Sequence, residues 1–271
     1  MEKKIKNLTE LISDGTVSNE INSGKIAIAN KAYEQAWKHL YKAYTTSNAT
    51  YKQKGEAAYF LYTIMRDVSS DDQIIREIAD TDNDLKIIGK NKTLTNDYIR
   101  RYIGRKYLKE SAENGYDKGL MEYGLSCVDC GEPGSFTYEY NDKNAEAGLA
   151  WADKMLSSSN KYVQHAGYII YAKYYFVKGL KENSSVYVKG FGDNILKAKN
   201  LLPANQYTQY FLGHLYSNPK FNSYNNGTYS NIRTGYDYFV KASKFSTDPA
   251  IVKSAEEIKH MMETKFPSII R

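Results

Sequence analysis

One chemical rhythm recurs along this chain and restricts its fold more than any other property. Four segments carry it: GEAAYFLYTIM (55–65), KGLMEYGLSC (118–127), HAGYIIYAKYY (165–175) and YTQYFLGHLY (207–216). Each places a small residue, a large apolar residue four positions on, another residue directly after it, and a further one three beyond. The sets are Ala57, Leu61, Tyr62, Met65; Gly119, Tyr123, Gly124, Cys127; Ala166, Ile170, Tyr171, Tyr174; and Thr208, Leu212, Gly213, Tyr216. Steps of four and three fall on one stripe of an α-helix. The small first residue lets a neighbouring helix come close.

A second pattern lies between them. It reads Gly104, Tyr107, Ser111, Ala112 in 102–115; Gly148, Trp151, Met155, Leu156 in 147–156; Gly235, Tyr238, Ala242, Ser243 in 234–243; and Ala36, His39, Ala43, Tyr44 in 35–44. The stretch 191–199 keeps Ala198 but offers Asn194 where an aromatic belongs. The two patterns alternate. Leu61, Tyr123, Ile170 and Leu212, the central apolar positions of the first, are spaced by 62, 47 and 42 residues. The last two spacings are near the pitch of a two-helix repeat. The first is stretched by an insertion at 69–95, predicted to hold one short helix, about Asp71 to Ala79, and a polar loop.

Helix ends are punctuated accordingly. Asn96-Asp97 and Asn141-Asp142 offer cap oxygens, Gly115 and Gly131 allow a left-handed ending, and Asp248-Pro249 is a cap followed by proline. The run SFTYEYND (135–142) reads as an inter-helix loop with room for a short extended piece. The expected fold is all-α, an α-solenoid of stacked antiparallel helix pairs. Residues 1–31 form a helical lead-in, 32–247 the repeats, and 248–271 a closing helix.

These residues resemble the Sel1-like repeat family, a relative of the tetratricopeptide repeats, from about Ala32 to the C-terminus. The family's first helix runs roughly A-x3-L-G-x2-Y-x2-G and its second K-A-x2-W-x3-A-A-x2-G. The best matches are Leu212-Gly213-x-x-Tyr216 and Gly104-x-x-Tyr107-x-x-x-Ser111-Ala112-x-x-Gly115. Tyr62 and Tyr171 stand where the first-helix glycine belongs, and Met65 or Cys127 where its tyrosine does. The resemblance implies a right-handed α-solenoid, a superhelix whose concave surface grips other proteins, as an adaptor, scaffold or inhibitor. Stacking argues the same way, since one helix pair cannot bury its apolar face alone.

Composition narrows the partner. The 26 tyrosines exceed 9 Phe and 2 Trp, and a tyrosine places an apolar ring at an interface while its hydroxyl stays wet. Tyr59, Tyr168, Tyr175, Tyr210 and Tyr236, outside the predicted core stripes, are the candidate protein-binding residues; packing against the adjacent repeat is their alternative role. The polar, aromatic loop 217–231 reads as a binding loop or an insertion. The formal charge is +6, from 37 bases and 31 acids. This mild excess favours an acidic protein surface over nucleic acid, and the densest basic cluster (Arg100, Arg101, Arg105, Lys106) reads as a solvated face.

No stretch approaches a membrane span, and the first residues lack the apolar core of a signal peptide, so a cytoplasmic protein is expected. Cys127 and Cys130 form a lone C-x-x-C with no second pair to complete a zinc site; two thiols at a helix end, or a disulfide, are the readings. His39, His165, His214 and His260 are scattered singly. Neither Asp71 with Asp72 nor Glu139 with Asp142 has a histidine or phosphate cradle beside it. The expectation is therefore no enzyme, no cofactor and no metal, but a protein-binding adaptor or scaffold. A dedicated inhibitor, such as an immunity protein or a phage protein blocking a host defence enzyme, is a sharper form, and an RNA-binding helical repeat a third reading.

Overall fold

A computed structural model describes residues 2–69, 74–81, 85–90, 93–128, 142–182, 184–224 and 229–270, and every regular element among them is helical. The nine periodic segments map onto helices in the alternating order. Those of the first pattern fall in α3 (Tyr51–Asp67), α7 (Asp117–Val128), α9 (Lys161–Lys181) and α11 (Gln206–Ser217). Those of the second fall in α2 (Tyr33–Thr45), α6 (Asn96–Glu113), α8 (Asp142–Leu156), α10 (Ser185–Leu201) and α12 (Tyr229–Ala242). A long α1 (Glu2–Ala29) precedes them, and α13 (Pro249–Lys265) with the short α14 (Pro267–Ile270) follows. The insertion holds α4 (Ile74–Thr81) and a further α5 (Lys86–Lys90), one helix more than expected. The chain divides into two compact units, 1–139 and 140–271.

In the first unit each helix packs on its neighbour: α1 on α2, α2 on α3, α3 on α6 and α6 on α7, while α3 also meets α1 and α7. Trp37, Leu61, Met65, Ile103 and Tyr107 are fully enclosed. Trp37 and Tyr44 both meet Tyr107 edge to face, at 5.4 and 5.5 Å. In α2 the buried stripe is Ala36, Trp37, Leu40 and Ala43. His39, expected on that stripe, instead reaches Glu20 of α1 at 2.7 Å, because Trp37 and Leu40 bury more apolar surface one step round the helix. Glu20 also accepts from Lys42, and Lys42 and then His39 hold its carboxyl below the usual range.

Small residues bring α3, α6 and α7 together. Ser111 Oγ donates to the Gly55 carbonyl at 2.7 Å, and a Cβ on Gly119 would lie 2.0 Å from that same Oγ. After α6 the backbone turns left-handed at Gly115 (φ 74°), with Tyr116 N–H bonded to Ser111 O and Gly115 N–H to Ala112 O, the paired closure glycine permits. The insertion is fastened down by three hydrogen bonds. Trp37 Nε1 donates to Thr81 Oγ1 at 2.8 Å, and Arg76 donates to Asn96 Oδ1 and Leu94 O, each at 2.8 Å. Arg100 sends Nη1 to the carbonyls of Met65, Arg66 and Val68 at 3.3–3.4 Å, closing the C-terminal end of α3. The cap of α6 is Thr95, accepting from Tyr98 N–H, rather than Asn96 or Asp97. Asp97 is drawn instead to Arg100 at 2.7 Å and Arg101 at 2.8 Å.

The second unit repeats the neighbour packing: α8 on α9, α9 on α10, α11 on α12 and α12 on α13, with α9 and α13 both meeting α11. Its interior is aromatic. Phe176 touches Phe191 (5.2 Å), Phe211 (5.6 Å) and Phe221 (5.3 Å), the last from the 3-10 helix Pro219–Tyr224. Phe239 of α12 lies over Gly213 of α11. A Cβ at Gly213 would stand 2.7 Å from two of its ring atoms. Asp248 caps α13 through Ala250 and Ile251 N–H with Pro249 at the first position, as the sequence predicts. The predicted Gly131 ending, Asn141, most of SFTYEYND (135–141) and the tip 225–228 of the 217–231 loop lie outside the described residues. A Gly213→Ala substitution must displace the fully buried Phe239 ring; thermal melts should show a loss of about 1–3 kcal/mol, the usual range for overpacking.

Candidate functional site

Tyrosine hydroxyls cross between helices throughout. Tyr59 of α3 donates to Glu122 Oε2 of α7 at 3.0 Å, and Tyr62 donates to the same carboxylate. Arg66 approaches that carboxylate at 3.9 Å and its guanidinium lies over the Tyr62 ring. Burial, then the Glu122 charge, pushes both phenols far above their ordinary range, so both stay protonated donors. Tyr171 donates to Asp153 of α8 (2.6 Å), Tyr207 to Asp248 (2.8 Å), Tyr210 to Ser254 Oγ of α13 (3.3 Å) and Tyr236 to Glu263 of α13 (2.6 Å).

These ties place the five predicted tyrosines. Tyr59 sits in the α3–α7 network, its ring against Tyr62 and Tyr116. Tyr210 and Tyr236 pack half-buried on one core cluster of Phe239, Ala242, Ala255, Met262 and Ile270. Tyr168 and Tyr175 share a face of α9, and Tyr175 leads to a cluster of tyrosine rings on α9 and α10. Tyr175 stacks on Tyr171 (6.2 Å), meets Tyr174 edge-on (5.5 Å) and reaches Tyr187 of α10 (6.3 Å). It lies flat on α10 because residue 190 is glycine, whose added Cβ would be 2.8 Å from the ring. Lys178 Nζ lies 6.0 Å over Tyr174 and Lys197 Nζ 5.6 Å over Tyr168. All five rings are half-buried.

Tyr171 and Tyr174 were expected within the core stripe. The structure leaves them half-exposed, since a phenol on that stripe turns its hydroxyl to the surface while its ring covers the helix beneath. Tyr187 was not singled out at all. The signal that could have found it is the density of tyrosines and lysines from 161 to 189. Chemically the seam offers aromatic faces, phenol donors and ammonium groups.

Two imidazoles are enclosed in the second unit. His165 Nε2 pairs with Thr208 Oγ1 at 2.7 Å, joining α9 to α11. The His214 ring lies among Phe176 (4.7 Å), Tyr210 (4.8 Å) and Phe239 (5.1 Å), and among the described residues its Nε2 meets no hydrogen-bond partner. Burial lowers His165 to about 4 and His214 to about 3. Cys127 is buried on α7, and burial pushes its thiol up; Cys130, Asp71, Asp72 and Glu139 lie outside the described residues. Among the described residues no group of His, Cys, Asp and Glu could hold a metal, and no helix is long and apolar enough to cross a membrane. Compared with protein-family models, curated proteins and solved structures, the chain finds no match.

Two measurements follow from these contacts. In a double-mutant cycle, Tyr62→Phe and Glu122→Gln should couple by about 1.5–3 kcal/mol, the range for a hydrogen bond to a charged group. Both histidines have lowered folded-state values, so their stabilisation is complete above about 6.5 and is lost as pH falls toward 4 and 3. Between pH 7 and 5 each should withdraw on the order of 2 kcal/mol. Denaturant titrations of His214→Phe should show roughly half the parent's histidine-dependent loss.

Proposed function

We propose that the chain is a non-enzymatic protein-binding scaffold, each unit a run of right-handed α-solenoid built from stacked helix pairs in the Sel1-like manner. The observation that carries this reading is the packing order. Within each unit a first-pattern helix meets the second-pattern helix that follows it and also the next first-pattern helix: α3 meets α6 and α7, and α9 meets α10 and α11. Within each unit successive pairs therefore share an apolar seam, the arrangement that leaves an outer face free for a partner. Interfaces favour aromatic anchors, and Tyr98, Tyr102 and Tyr162 are exposed on α6 and α9.

The test is recovery of the tagged chain at native abundance from its source cell, with light scattering on the purified species. A stoichiometric complex with another protein is expected. Recovery as the bare chain, or as a complex with RNA alone, would end the proposal.

A further inference from the structure

The charge of this protein is unevenly placed. Residues 161–201, which make up α9 and α10, contain seven lysines and no arginine against Glu182 and Asp193, a net of +5 out of +6 for the whole chain. The same hairpin carries the tyrosine seam. The two helices run antiparallel along it, Tyr175 beside Tyr187 at one end and Tyr168 beneath Lys197 at the other. From Tyr168 to Lys178 the seam is roughly 15 Å long at 1.5 Å per helical residue.

Resting on the protein-binding reading, we propose that the α9–α10 seam is the docking surface and that its occupant is an acidic protein segment in which carboxylates alternate with apolar side chains. Charge complementarity selects the sign, because an acidic segment neutralises the net positive charge of this hairpin. The lysines already show which groups they accept: Lys189 holds Asp193 at 2.5 Å and Lys178 stands 3.9 Å from Glu182. The rings supply the apolar half. Tyr171, Tyr174, Tyr175 and Tyr187 form one half-buried aromatic surface on which an apolar side chain can lie.

The geometry speaks for a peptide over a nucleic acid. Base stacking needs open ring faces. Here Tyr171 and Tyr175 stack on one another, while Lys178 lies over Tyr174 and Lys197 over Tyr168. The absence of arginine removes the planar fork that best matches phosphate. An ammonium held over a tyrosine can turn to a carboxylate without giving up the ring, whereas a base would have to evict it.

The experiment is fluorescence anisotropy on the full chain at low and physiological salt. Three labelled probes are used: a peptide alternating Glu and Leu, its Lys-for-Glu counterpart, and an oligouridylate. The Glu peptide should bind, with affinity falling as salt rises, and the Lys peptide should not. Reversal of three surface charges, Lys178→Glu with Lys189→Glu and Lys197→Glu, should weaken the Glu peptide about tenfold or more. The corresponding Lys→Gln variant, which adds no negative charge, should weaken it by an intermediate factor. Tyr174→Ala with Tyr187→Ala should also weaken it, and circular dichroism melts verify that each variant is folded. Equal binding of the two peptides, indifference of folded variants, or tighter binding of oligouridylate through the same lysines would overturn the inference. A cellular partner that holds parent and lysine variant equally removes this inference alone; the absence of any protein partner removes the reading beneath it as well.

Discussion

A phenol can span the gap between two helices with its ring and still deliver a hydrogen bond at the far side, and the packing of this chain depends on that dual capacity. Leucine at the same place would fill the seam but leave a facing carboxylate or hydroxyl unanswered. Serine would answer it and leave the seam empty. Tyr59 and Tyr62 tie α3 to α7 through Glu122, Tyr210 ties α11 to α13 through Ser254, and Tyr236 ties α12 to α13 through Glu263. Each joins one helix to another with a specific acceptor, so the contact fixes register as well as covering apolar surface. A protein whose helices lean mainly on their immediate neighbours needs such joints repeatedly, which accounts for tyrosine outnumbering phenylalanine nearly threefold.

Large rings impose a complementary demand for small partners. Phe239 can lie on α11 only because residue 213 has no side chain, and Tyr175 on α10 only because residue 190 has none. The α3–α6–α7 junction meets the same need with Gly55, Ser111 and Gly119, where serine fits tightly and its hydroxyl satisfies a carbonyl. Close approach and ring size are thus set together; enlarging the small member or trimming the large one disturbs the same contact from opposite sides.

Helix location and order were legible because apolar spacing is a local property: Leu61, Ile170 and Leu212 are fully buried where the four-and-three step places them. Phase within a helix was less legible. His39 was assigned to a stripe that belongs to Trp37 and Leu40, and Tyr171 and Tyr174 to a core they only border. Both errors come from amphipathic side chains, whose burial depends on what stands opposite. Arg100 illustrates a longer-range cause. Its cluster looked like a solvated face, yet it binds three carbonyls more than thirty residues away. The stripe pattern of α6 cannot reveal an acceptor supplied by the end of α3. Of the candidate residues, Tyr168 and Tyr175 were recognisable as lying outside the stripes, but the junctions of Tyr175 with Tyr187 and of Tyr168 with Lys197 exist only once α10 folds back.

The two units resolve the same problem, joining successive first-pattern helices, with opposite electrostatics. Between α3 and α7 the joint is a half-exposed carboxylate with two phenols and a guanidinium, charged and in reach of water. Between α9 and α11 it is His165 on Thr208, enclosed and held neutral by burial, with His214 neutral among aromatic rings nearby. A charge inside the second unit would be costly without a partner. Most lysines of α9 and α10 accordingly lie on the outside, where Lys178 and Lys197 rest over tyrosine faces, and the buried Lys173 has the Asp248 charge in reach. The interior side of α9 meets the cost of burial in two ways: His165 sheds its charge against Thr208, whereas Lys173, lowered by burial only to about 8, is held by the Asp248 charge.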